Sequence, residues 1–469
     1  GYSEESYKAA FLNLATGKWT QIPDAVTPNG DYIEINFKPR GNQSDVAGRY
    51  TAGKDLPNAL QTYIAVEDGE WGSSIWKVYN TDTKEAEGDN IIPLSFSGCA
   101  VIIDAHVTMS ENNEGIKLSS LVINEGKKLD VGTTQNNQVG YISGTGTLKV
   151  QSGDAVPSGV YDDFLEVGGG TIEYGGSGDY NVFISSVYAN NVVFSGTGKR
   201  YLRSDRIIQV NGDMTIEGAE VVFGGKDVTL LGDLTIVGGH TSGSGSLVFA
   251  GDLRQEVIST ENIVLSGIEL NNLNGVSANC GLEVMTLKLT RGVLDLGNNA
   301  ICVKGTIVGG SSSCYVNGEM KRKLSSGTEY KFPVGDASRY GEASVLPSSS
   351  GEWSVRYYNV TPPNVESKDT KVTDLGAEYW AVKGDAGKMA RVRVRWDMRS
   401  GTFTNTSKMA TYDGSKWVLI ECNSPVGQTM LAVSAETNMS GEPRLYTLAT
   451  AAVRTDYIWT GAESEDWSS

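Results

Sequence analysis

Apolar and polar side chains alternate in short runs along most of the chain, and the runs are separated by Gly, Asn, Asp and Ser. A period of two, carried by Val, Ile, Thr, Tyr and Leu and punctuated by turn residues, predicts β-strands, and long helical patterns are almost absent. The chain therefore reads as all-β. Its clearest alternation lies in Met214-Thr215-Ile216 and Leu234-Thr235-Ile236, so Met214, Ile216, Leu234 and Ile236 are expected to point to one buried face. A Gly-Asp pair precedes each, at Gly212-Asp213 and Gly232-Asp233, and a third stands at Gly251-Asp252, giving spacings of 20 and 19 residues. Gly292 to Ile301 and Gly305 to Gly310 repeat the texture. A unit of about 20 residues with two or three short strands and sharp corners suits one coil of a parallel β-helix, whose core forms only when coils stack. The solenoid is placed at about residues 91–318, roughly ten coils. Glycine before each Asp is expected to supply a positive-φ corner, stacking Asp213, Asp233 and Asp252 on one edge.

From Glu319 the strands lengthen and gain aromatics: Trp353 to Tyr358, Tyr379 to Val382, Arg391 to Trp396, Trp417 to Ile420 and Leu445 to Leu448. These read as an antiparallel β-sandwich of immunoglobulin-like size over residues 319–452. Alternation sets Val392, Val394 and Trp396 against Arg391, Arg393 and Arg395. Trp353, Trp380 and Trp396 are thus expected in the core, and the three Arg on an exposed, charge-protected face. Residues 1–90 contain strand-like pieces, such as Tyr32 to Phe37 and Tyr63 to Val66, without a repeat, and form a separate small β region. Residues 453–469 follow the sandwich and hold Trp459 and Trp467.

Charge narrows the partners. Against 39 Lys and Arg stand 56 Asp and Glu, a net charge of −17 over 469 residues, which repels nucleic-acid phosphates and anionic lipid. No nucleic acid is expected as partner, and no apolar run approaches the ~18 residues needed for membrane insertion. The chain opens Gly-Tyr-Ser-Glu-Glu, without a basic and then apolar leader, and is expected to be a piece of a longer or processed precursor. Five Cys and two His are too few and scattered for a zinc, haem or iron–sulfur site. Cys280 and Cys302, about one coil apart, either stack as buried thiols or bridge adjacent coils.

Candidate chemistry is sparse. Parallel β-helices also carry polysaccharide lyases and hydrolases, and Asp162-Asp163 is the adjacent acidic pair that could seed such a site. The Asn-Thr-Asp, Gly-His-Gly and Arg-Ile-Lys strings of pectin-degrading enzymes do not accompany it, so a solvated, Asp-capped turn is expected. Asp213, Asp233 and Asp252 could align as oxygen ligands for Ca²⁺, although like charges one rung apart repel and Asp after Gly is an ordinary turn residue. His106 and His240 have no nucleophile and acid at a suggestive spacing. The basic run holding Lys199, Arg200, Tyr201, Arg203 and Arg206 could meet a partner or an anionic glycan, or form a salt-bridged coil face. No resident cofactor is expected, and the chain reads as a non-enzyme.

Several strings resemble those of large, modular, secreted surface proteins of Bacteroidetes, the adhesin-like substrates of the type IX secretion system, gliding-type adhesins included. Trp459-Thr460-Gly461-Ala462 with Asp466-Trp467 is similar to their Trp-rich module, which implies that residues 453–469 begin a further one, and Leu121 to Gly126 with Leu129 to Gly132 resembles the start of their solenoid. Val293 to Asn299 looks like a later coil. Phe332-Pro333-Val334-Gly335 with Tyr340, then Trp353 to Asn359, then Glu378-Tyr379-Trp380, resembles the domain that follows. The resemblance covers about residues 90–469 and lacks a C-terminal sorting domain, as a fragment of a very long protein would. It implies export to the cell surface and a role in attachment, gliding motility or surface structure. Its implied partners are the secretion or outer-membrane machinery, surface glycans and other adhesin copies. A glycan-binding module is the second reading and a polysaccharide-active enzyme the third.

Overall fold

The structure, a computed structural model, describes residues 7–13, 18–22, 26–29, 32–35, 49–54, 61–182, 188–202, 204–205, 208–336, 338–395, 407–420, 422–423, 431–434 and 437–452. It is all-β and dominated by a β-solenoid of about eleven turns. Alternation places every second side chain inside, so a four-residue strand adds to two apolar columns. Val192, Met214, Leu234 and Val257 stack in parallel register along one face. Val210, Leu230, Phe249, Leu270 and Leu289 stack along the next. Met214, Ile216, Leu234 and Ile236 are all buried, as the sequence pattern requires. Burying one such side chain stabilises by about 1.5–3 kcal/mol, realised only when the next coil covers it.

Parallel stacking begins before residue 91. Thr62–Ala65 pairs in parallel with Ala100–Ile103, which pairs with Ser120–Ile123. Between the first two runs the chain makes an antiparallel hairpin, Trp76–Asn80 with Glu85–Ile91, that covers the free side of Thr62–Ala65. Trp71, Trp76 and Phe96 close the apolar end of the core, with ring centroids 4.8–4.9 Å apart. The hairpin's outer strand exposes Glu85, Glu87 and Asp89, a charged edge that discourages further strand addition. Nearer the N-terminus, Tyr7–Asn13 pairs antiparallel with both Lys18–Ile22 and Arg49–Lys54.

At the other end, strand Cys314–Leu324 belongs to two architectures. Its first part stacks in parallel on Gly292–Asp295, and Val316 and Asn317 pair with Val334 and Gly335. Its second part lies between Ala300–Val303, in parallel, and Gly351–Val355, antiparallel. The solenoid sheet thus runs unbroken into an antiparallel sheet that continues through Tyr379–Gly384, Arg444–Ala451, Ser407–Tyr412 and Trp417–Ile420. A second antiparallel sheet joins Tyr330–Phe332, Ala343–Pro347, Met389–Arg395 and Leu431–Ser434. Trp353, Val355, Trp380, Val382 and Tyr446 of the first share a core with Val345, Val392 and Val394 of the second. Trp353 and Trp380 are buried as alternation predicts, and Trp396 lies outside the described residues. Strand order here does not establish the immunoglobulin-like form expected for 319–452. Cys280 and Cys302 are free thiols, without a bridge between coils.

Candidate functional site

The basic run is largely consumed by the fold. Alternation along Lys199–Tyr201 turns Arg200 inward, where it is fully buried. Its guanidinium donates to the carbonyls of Tyr174, Gly175, Gly176, Gly178 and Ser195 at 2.7–3.1 Å and lies 4.4 Å over the Tyr180 ring. The Gly-rich corners turn these carbonyls inward, where a planar five-donor cation fits them, although Gly176 also accepts the Thr197 amide and Gly175 the Tyr180 hydroxyl. Arg200 therefore plugs the coil and offers nothing to a ligand. Outward, Lys199 pairs with Glu220 at 3.2 Å, and Tyr201 is 36% exposed. Arg203 and Arg206 lie outside the described residues. Among the described residues, the open cleft beside the run is bordered by Asp154, Tyr180, Asn181, Ser204 and Asp205.

Asp213 and Asp233 do stack, as backbone caps. Asp213 Oδ1 accepts the Asp233 amide at 2.8 Å and Asp233 Oδ1 accepts the Glu256 amide at 2.7 Å, while Asn191 Oδ1 accepts the Asp213 amide at 2.8 Å. Asp252 does not join this edge; Glu256 takes its place. The separation is 20 residues from Asp213 to Asp233 but 23 from Asp233 to Glu256, because this corner is longer. Gln255 and Asn272 tie the longer corner down: Gln255 Oε1 accepts from Gly251 N at 2.8 Å and from Asn272 Nδ2 at 3.0 Å. Gly212, Gly232 and Gly251 are not among the positive-φ glycines. They are required by close approach instead, since a Cβ would strike Asn191 Oδ1, the Gly212 carbonyl and the Leu231 carbonyl, respectively. Among the described residues no group of three or more His, Cys, Asp or Glu could hold a metal ion.

Other charges pair between coils in the same way. Asp130, Lys149 and Glu173 are in register on three successive strands. Lys149 lies 3.2 Å from Asp130 and 3.6 Å from Glu173, and Lys128 reaches Glu173 at 2.6 Å. Burial favours a neutral Glu173, but hydrogen bonds from Lys128 and Ser195 and the charges of both lysines hold its carboxyl below the usual range. Burial likewise opposes the charge of Lys149, and Asp130 and Glu173 overcome it, raising its pKa. Glu220 sits between Lys199 and His240, whose Nε2 is 3.7 Å away. Asp162 and Asp163 open a short helix, and Asp163 accepts the Tyr141 hydroxyl.

The strings Phe332 to Gly335, Tyr340 and Glu378 to Trp380 converge near the junction. Buried Glu378 faces Arg339 Nε at 3.2 Å and accepts the Tyr357 hydroxyl, and Trp380 Nε1 donates to the Gly341 carbonyl at 2.7 Å. Burial, with Glu378 beside it, pushes the Tyr357 phenol up.

One surface escaped sequence reasoning. On the outer face of the junction sheet, Cys302, Lys321, Ser354 and Lys383 occupy one register row across four consecutive strands. They line an open cleft of about 630 Å³ with Lys304, Glu352, Asp385 and Glu442 among its walls. Along the same strands Tyr358 and Tyr379 stack, centroids 4.6 Å apart, with Arg356 5.1 Å from the Tyr358 ring. These residues are scattered over the sequence, and only the strand register brings them together.

Compared with known proteins, the chain matches no family model, no curated protein and no solved structure. No helix among the described residues is long and apolar enough to cross a membrane.

Proposed function

We propose that the chain is a non-catalytic segment of a secreted cell-surface protein, exported by a type IX secretion system and acting as an adhesin or structural fibre in attachment or gliding. The observation that carries this reading is the employment of its charged side chains. Arg200, Asp213, Asp233, Glu173 and Lys149 are each committed to the backbone or counter-charge of a neighbouring coil, which suits a stiff stalk and leaves none of these five poised for acid–base work. A sheet continuous through Cys314–Leu324 suits the same role, since the stalk and the region beyond it form one hydrogen-bonded body. Secretion machinery, other copies and surface glycans are the partners this reading implies, and the cell surface its location.

Deleting residues 62–291 in the producing cell, which keeps the last coil with its antiparallel partner, with export verified by surface labelling, is expected to abolish attachment or spreading. Attachment at the wild-type level would sink the proposal. Purified protein is expected to leave pectin, alginate, chondroitin and mucin glycans intact with or without Ca²⁺. Reproducible release of unsaturated or reducing ends, lost in an Asp162→Asn/Asp163→Asn variant, would favour an enzyme instead. The glycan-binding alternative draws its support from the row of Lys321, Ser354 and Lys383.

A further inference from the structure

We infer that the outer face of the junction sheet is a contact site for an acidic polysaccharide, with Lys321 and Lys383 meeting uronate carboxylates over Ser354. The inference rests on the surface-contact reading above and gives it a ligand class. Lys321 pairs in register with Ser354, and Ser354 with Lys383, so the three side chains leave the same face. The two lysine-bearing strands are two strand spacings apart, about 10 Å. Lys383 is exposed and has no counter-ion among the described residues. Lys321, with its side chain 51% exposed, has only Glu319 at 3.6 Å. Between them Ser354 is 7% exposed and makes no side-chain hydrogen bond among the described residues, although its position in the row turns it to the cleft. Its hydroxyl is not shut off from solvent and is open to bond water or a ligand oxygen.

The surroundings select the ligand. Lys304 and Arg322 add to the positive charge of the cleft, while Glu319, Glu352, Asp385 and Glu442 can accept from sugar hydroxyls and would oppose a ligand of dense negative charge. Tyr358 and Tyr379, four residues along from Ser354 and Lys383, are half-buried and add aromatic surface for the C–H face of a pyranose. The net charge of −17 disfavours duplex nucleic acid, with one phosphate per ~1.7 Å of axis, more than a uronate chain carrying one carboxylate per sugar.

Calorimetric titration of the intact chain with a hexauronate, with neutral cellohexaose and with a poly-glutamate peptide tests this. Hexauronate binding is expected, with little or no binding of the other two. Lys321→Ala/Lys383→Ala should weaken it about tenfold or more, and Ser354→Ala several-fold, at an unchanged melting temperature. Lys321→Gln/Lys383→Gln, which keeps the side-chain length, should weaken it equally, and Lys199→Ala should leave it unaltered. No hexauronate binding, binding indifferent to the lysine pair, or poly-glutamate binding of equal strength would each overturn the site. Absent binding together with lost attachment in the 62–291 deletion would sink this site alone and leave the broader reading standing.

Discussion

The solenoid and the antiparallel region are built from the same kind of strand but wired differently. In the solenoid, side-chain hydrogen bonds reach one coil or two: Ser195 to Glu173 spans 22 residues, the Asp233 amide to Asp213 spans 20 and Lys128 to Glu173 spans 45. In the antiparallel region Trp380 reaches Gly341 across 39 residues, Trp417 reaches Pro363 across 54 and Thr447 reaches Glu378 across 69. The first is a chain of contacts between coils one or two apart, in which damage stays near its origin. The second is a knot in which every strand depends on distant ones, so it should unfold as a unit.

Two substitutions test that contrast most severely. Ile216→Asp buries an unpaired charge and Trp380→Ala opens a large cavity, each destabilising by about 3–5 kcal/mol. Hydrogen exchange should show protection lost only in the coils flanking Ile216 for the first, and throughout the antiparallel region for the second. Loss spread evenly over the solenoid in the Ile216 variant would break the distinction. Next in size, Arg200→Met strands several inward carbonyls and is expected to cost about 3 kcal/mol, read as local exchange at 174–178 and 195–200. A neutral result would mean that those carbonyls find other donors.

The smallest effect sharpens the comparison through pH. Glu173 is held below its ordinary value of 4.5, so its contribution is full above that pH and fades as pH falls through the depressed value in the folded protein. Denaturant titrations should separate wild type from Glu173→Gln by about 1–3 kcal/mol at pH 7 and bring them together in strong acid. A difference that persists in acid would point to packing instead of charge.

Alternation made the inward faces legible in the sequence at Met214, Ile216, Leu234 and Ile236, and at Trp353 and Trp380, because burial on one face of a strand follows directly from period two. Spacing was less dependable. Thr62 pairs with Ala100 and Ala100 with Ser120, separations of 38 and 20, and the hairpin between the first two hides the opening coil. The Gly251-Asp252 pair imitated a coil corner while Glu256 held the structural position. Arg200 looked like surface because its charge suggested solvent, whereas its place in the strand alternation put it inside. The Lys321, Ser354 and Lys383 row could not be read at all, since it needs a register spanning both architectures.

That shared strand ties two choices of pairing into one. Met320 faces the core between Ile301 and Val355, and Lys321 faces outward between Cys302 and Ser354. Inserting or removing one residue near Gly318 would exchange those faces, turning Met320 to water and Lys321 toward the core, and every strand paired beyond would inherit the slip. A recombination joint placed at 318 would therefore scramble the downstream sheet. One placed ahead of Gly292, carrying the last coil with its antiparallel partner, would transfer the register intact.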